Sequence, residues 1–348
     1  TSFGASGGKV SIVSGSNSAG HSSGALLMST ADGDATGVSG IIALSTGTSG
    51  SGNTGAIYIG TGDATGNRGG SVYVQVGGGD TGVGGELVLS AGEATASASG
   101  TGGTVTVSSG GDAETSSGAL VMQTSAASTA GISGMVILST GVASNGNSGG
   151  IYIGSGLGAS GRAGHVYVTA GSGNSGSGAE VVIQAGTSSF AKGTGGRVVI
   201  SSGSGSASSS GDLLLSTSAA GSNGISGVVV LSTGASTSGN SGGVYIGSGK
   251  AASGRSGHVY VTAGTGDLLT GAELVLSAGE TTFTTGTGGK VVVSSGGGSS
   301  GGSTSGDLLL RTAKAGTAGV SGMIILSSGV ATSGNSGGIY IGSGAGAS

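Results

Sequence analysis

The chain has 348 residues, of which 87 are Gly and 7% are charged; Pro, Cys and Trp are absent and the net charge is −4. Gly this abundant without Pro excludes collagen, which needs Gly at every third position and abundant Pro. An apolar content of 35% with so few charges argues against ordinary disorder, the lack of Cys excludes disulfides and thiolate metal sites, and there is neither an apolar run long enough for a membrane span nor a basic cluster for nucleic acid.

Short apolar runs recur along the chain. Each reads x-Φ-x-Φ-(Ser/Thr)-x-Gly and is followed by a Gly/Ser/Ala connection. The lead apolar residues of a first round are Val10, Leu26, Ile42, Ile57, Val72 and Leu87. A second round has Val105, Leu120, Val136, Ile151, Val166 and Val181. A third has Val198, Leu213, Val229, Val244, Val259 and Leu274, and a fourth Val291, Leu308, Ile324 and Ile339. Steps are mostly 15 or 16 residues, with 17 or 18 at a few joints. The six units of a round have distinct cores, GGKVVVSS, SGDLLLST, SGVVVLST, SGGVYIGS, SGHVYVTA and GAELVLSA, and the first core returns after 95, 93 and 93 residues. This gives superrepeats 7–101, 102–194, 195–287 and 288–348, the last incomplete, within a single array over 1–348.

Each run is rich in Val, Ile, Leu and Tyr and bounded by Gly, which predicts a strand of about five residues. The connections are too short and too rich in Gly for helices. A fixed period with one strand per unit predicts an all-β fold, a parallel β-solenoid of about 22 turns with 15–16 residues per turn and a higher six-turn repeat. At roughly 4.8 Å per turn such a coil would be about 105 Å long. The residue preceding each lead position supports this stacking. It reads His165, Glu180, Arg197, Asp212 in successive units, and His258, Glu273, Lys290, Asp307 one round later. Stacked turns would make these a charge column of favourable or neutral neighbours, each opposite pair contributing roughly 0.2–1 kcal/mol. A single giant turn of 93 residues would instead set Glu86, Glu180 and Glu273 on one another.

The middle residue of each run points to the opposite face. A lone solenoid would carry polar residues there, but this series is apolar, as in Leu27, Val121, Ile137, Val182, Leu214 and Val275. All seven Tyr fall in it: Tyr58, Tyr73, Tyr152, Tyr167, Tyr245, Tyr260 and Tyr340. The expected role of these rings is an aromatic packing ladder, with a sugar-stacking platform as the alternative. A stripe of this length exceeds what a soluble monomer exposes, so the partner expected is the chain itself, laterally and end to end. Neither end carries a capping sequence, which predicts head-to-tail association through open strand edges. Phe3, Phe190 and Phe283 all lie in the long joint before the first unit of a round and are expected to plug an enlarged corner.

No chemistry is legible. His165 and His258 have at most one acidic neighbour per round, short of a metal ligand set. The Gly-rich runs lack the Gly-Lys-(Ser/Thr) of a phosphate loop, calcium nonapeptides are missing, and Ser has no recurring His/acid partner. No catalytic residue, cofactor or metal is expected, and the chain reads as a non-enzyme. The runs SGNSGGIYIGSG and GHVYVTAGSG resemble the Gly/Ser/Thr-rich repetitive β-solenoid proteins of algal and protist extracellular filaments, and more loosely adhesin shafts. That resemblance, over the whole chain, implies an extracellular or cell-surface structural subunit of a filament or fibre, self-assembling through apolar outer faces and open solenoid ends. The alternative is an ice- or carbohydrate-binding solenoid or adhesin, with glycans as partners. Ser139-Thr140, Ser232-Thr233, Thr169 and Thr262 favour it, but a flat Thr-x-Thr array is missing.

Overall fold

Connections of Gly, Ser and Ala bend where side chains hinder the backbone least, and their tips set the period of the structure. A computed structural model describes residues 7–18, 20–95, 100–112, 114–128, 131–267 and 270–345. Contacts cluster into two units, Thr1–Thr169 and Ala170–Ser348. The division falls inside the superrepeat 102–194, away from its edges. In the first unit the chain bends at 34–37, 50–52, 65–67, 80–83, 144–146 and 159–161. In the second it bends at 174–177, 190–193, 206–208, 221–224, 237–239, 252–254, 283–286, 300–303, 316–319 and 332–334. Where the intervening residues are described throughout, one bend lies between consecutive runs. At 300–303 the Ser303 N–H donates to the Ser300 carbonyl and Gly302 has φ +84°, the third turn position at which only Gly is unstrained.

Among the described residues no stretch is helical, so none is long and apolar enough to cross a membrane, and no two runs pair into a sheet. The expected all-β fold, a parallel β-solenoid or β-helix of about 22 turns, is therefore not formed. Among the described residues no stacked turns form to carry a charge column.

The reason lies in how each connection closes. Two residues before most lead positions stands a Gly, and it faces the residue four after the previous lead, which is Ser, Thr or Ala at most necks and Val76 at Gly85. Thr30 meets Gly40, Thr61 meets Gly70, Thr140 meets Gly149, Ala185 meets Gly196 and Thr233 meets Gly242. The contact is made on the side-chain face. A Cβ added at Gly70 would lie 3.0 Å from Thr61 Cγ2, and one at Gly40 would lie 3.1 Å from Thr30 Cγ2. Sheet neighbours approach along the hydrogen-bonding direction, about 4.8 Å apart; these runs approach through side chains, which leaves their backbone groups aimed elsewhere.

Two kinds of bond hold the necks. Before the first and second units of a round, the neck Gly N–H donates to a Gly carbonyl: Gly103 to Gly92, Gly118 to Gly110, Gly196 to Gly186, Gly211 to Gly203, Gly289 to Gly279 and Gly306 to Gly296, at 2.8–2.9 Å. At five other necks among the described residues a Thr hydroxyl donates to the neck Gly carbonyl, as in Thr30 to Gly40 at 3.3 Å, Thr124 to Gly134 at 3.3 Å and Thr233 to Gly242 at 3.2 Å. The six-unit superperiod is thus also a period in neck chemistry.

Among the described residues no side chain is buried. Coverage still alternates with the period of two that an extended chain imposes. Ile151 on the neck side is 48% exposed, whereas the adjacent Tyr152 is 97% exposed. Phe190 and Phe283 stand at bends, where their carbonyls accept the N–H of Gly193 and Gly286, and their rings are exposed and plug nothing. Phe3 lies outside the described residues.

Candidate interaction face

An extended run sends the neck Gly, the lead residue, the third residue and the small neck residue to one side. The residue before the lead and the middle residue go to the other. All seven Tyr and all eight members of the expected charge column occupy this second, outward face. Two ring pairs demonstrate the shared side. His165 and Tyr167 lie with centroids 5.7 Å apart and planes at 50°, and His258 and Tyr260 repeat this at 5.7 Å and 48°. These are tilted contacts of a favourable aromatic kind, made between residues two apart on one extended segment.

In the preceding units the place of His is taken by Gly, and the Tyr ring turns back over it. A Cβ at Gly150 or Gly243 would lie 3.1 Å from Cε2 of Tyr152 or Tyr245, and one at Gly338 would lie 2.9 Å from Cε2 of Tyr340. The first round differs, with Ala56 before Ile57-Tyr58 and Ser71 before Val72-Tyr73. Each of the seven Tyr is more than 80% exposed. Among the described residues no two Tyr rings touch one another, and Glu180, Arg197, Asp212, Glu273, Lys290 and Asp307 join in no ion pair. The structure therefore brings His together with Tyr within a run, and leaves the aromatic ladder and the charge column without neighbours along their length.

Ionisable groups offer little else. At one tip Asp112 Oδ1 accepts the N–H groups of Glu114 at 2.7 Å and Thr115 at 2.6 Å, and these bonds, Glu114's first, hold its carboxyl below the usual value. Among the described residues no three His, Asp or Glu converge as metal ligands. A shallow depression in the loop 328–336 is lined by Ser328, Gly329, Val330, Ala331, Gly334 and Ser336, none of which ionises.

What the sequence reading missed is the neck. The signal was present, since Gly precedes every lead residue by two positions except at Ala179 and Ala272, and the residues four after the leads before these two are Ala170 and Ala263. No family model matches the chain, and neither a curated protein nor a solved structure is similar to it.

Proposed function

We propose that the chain is a structural subunit of an extracellular filament, ordered and held by neighbouring copies of itself. The observation that carries this is area. The chain exposes 34107 Å² and buries no described side chain. A folded monomer of 31.3 kDa would expose about 12,000 Å², and the unfolded chain about 45,000 Å². Roughly 22,000 Å² more than a self-contained fold would expose is thus open, several times what even large obligate interfaces cover. One partner on one patch does not cover such an excess; neighbours along the length of the chain on more than one side do. The apolar outward face supplies the attraction, and the small net charge gives little repulsion. The extracellular setting is carried by the resemblance in the Tyr-bearing runs.

The test is sedimentation velocity together with negative-stain electron microscopy over a concentration series, with circular dichroism read on the same samples. Fibres that appear above a threshold concentration, accompanied by a new β signal, are expected. An ordered, monodisperse monomer at high concentration would refute the reading. Carbohydrate binding is a second reading, favoured by the exposed His165–Tyr167 and His258–Tyr260 ring pairs. It requires retention on a glycan array that is lost in the Tyr167→Ala/Tyr260→Ala chain.

A further inference from the structure

From the backbone of the runs, we infer that neighbouring copies stack in register, each run hydrogen-bonding to the same run of the copies above and below. The inference rests on the assembly reading and adds its register and partner.

Consecutive runs within one chain approach through side chains at the necks, as at Thr61–Gly70 and Thr233–Gly242. Among the described residues no backbone hydrogen bond joins two apolar runs, and the bonds that exist lie at necks and bends. Each run therefore keeps a row of donors and acceptors on either edge, the situation in which an extended segment recruits another chain. Side chains occupy the directions within a copy, so the free direction is the one leading to the next copy. Identical extended segments meeting this way form a ladder with a repeat of about 4.8 Å, in which every backbone group is paired and like side chains stack.

Register follows from what must match. A stack offset by one unit would set opposite charges together, Glu180 against Arg197 and Arg197 against Asp212. It would also set an 18-residue step, Leu87 to Val105, against a 15-residue step, and a backbone-closed neck against a hydroxyl-closed one. An offset of one round meets a spacing of 95 against 93 in its first interval, and sets Ala56 against Gly150 and Ser71 against His165. Only the in-register stack puts every run, neck and bend on its own duplicate. Its drawback is that each charge lies on its like. The chain limits this, since its charged residues are only 7% of the total.

The absence of Cys allows a clean test. Thr169 and Thr262 follow equivalent runs one round apart, and both are exposed. Full-length Thr169→Cys carrying a nitroxide spin label is assembled alone, then diluted with unlabelled chain. In-register stacking gives a single, exchange-narrowed line from the singly labelled fibre that reverts to three lines on dilution. Spin coupling that appears only in the doubly labelled Thr169→Cys/Thr262→Cys chain would overturn the register in favour of a one-round offset. Three-line spectra from both fibres would overturn the stacking while leaving the filament intact. If the wild-type chain forms no fibres, the assembly reading fails first and this inference with it. If only the labelled chains fail to assemble, Ser160→Cys and Ser253→Cys at the bends take their place, with the same outcomes deciding.

Discussion

The neck between the fourth and fifth runs isolates what a single methyl group does. A Cβ at Gly70 would stand 3.0 Å from Thr61 Cγ2 and 3.2 Å from Thr61 Cβ, inside ordinary carbon–carbon contact, where about 3.5–4.0 Å is optimal. Gly70→Ala must therefore widen the neck and lengthen the Thr61 hydroxyl bond to the Gly70 carbonyl, already 3.4 Å. Overpacking of this kind costs about 1–3 kcal/mol. Gly62, beside Thr61 on the same neck, has open space where its Cβ would go and no left-handed backbone. Gly62→Ala should therefore stabilise by about 0.4–1 kcal/mol through the unfolded chain. Because no side chain is buried in the single copy, the quantity to measure is the critical concentration for assembly. It should rise roughly 5- to 150-fold in Gly70→Ala and fall about 2- to 5-fold in Gly62→Ala, at 1.4 kcal/mol per decade. Thr61→Ala in the Gly70→Ala background should recover most of the loss, since it removes the Cγ2 that the added Cβ would meet at 3.0 Å. Equal effects of Gly70→Ala and Gly62→Ala, or no recovery in the double variant, would refute the neck as a packing contact.

Other consequences concern the outward face and one bend. Replacing Tyr152 by Ser should raise the critical concentration about 30-fold, because covering an exposed aromatic contributes about 2 kcal/mol per copy; an unchanged threshold would place Tyr152 outside the contact. Between about 0.01 and 0.15 M salt the screening length drops from about 30 Å to about 8 Å, so an in-register stack, with like charges superposed, should assemble at lower concentration, whereas a one-unit offset would show the reverse trend. Asp112 carries a lowered carboxyl pKa, so its bonds to Glu114 and Thr115 stabilise the bend above the ordinary carboxylate value and are lost as pH falls through the lowered one. Amide protection at Glu114 and Thr115 should decline over that acid range, and Asp112→Ala should abolish it at neutral pH.

The period, the six-unit superperiod and the two-sidedness of the runs were all legible in the sequence. Each is a local property: Gly and Ser set the bends, and an extended backbone sends Ile151 and Tyr152 to opposite sides whatever lies around it. The pairing partner was not legible. An apolar run with β-branched residues states that it fits a pleated surface. It does not state whether that surface belongs to the next unit or to another copy. The fixed period with one apolar run per unit points to a solenoid, and the charges at His165, Glu180, Arg197 and Asp212 support it because they would alternate well if turns stacked. Those residues stand on the outward face, away from the necks, so their order says nothing about how one connection closes. The decisive pattern was Gly two residues before the lead opposite Ser, Thr or Ala four residues after the previous lead, a side-chain contact that reads in sequence as mere strand punctuation.

In the proposed filament, order and assembly would be one equilibrium. Fixing a residue's backbone costs about 1–2 kcal/mol, and Gly, 87 of the 348 residues, loses the most freedom of any residue. Neck bonds, present at only some of the units, do not offset that cost without a buried core to add to them. The compensating terms, ladder hydrogen bonds and coverage of Tyr, Leu, Val and Ile on the outward face, become available only when another copy is in place. A subunit of the proposed kind would have a reason to be poor in charge and long in repeat: each added unit would contribute one more run to the contact with every neighbour. The free energy of adding a copy therefore grows with the number of units. Deleting one whole round, residues 195–287, should preserve the bends and necks of what remains yet raise the critical concentration by more than any single substitution, because it removes six runs from every contact at once.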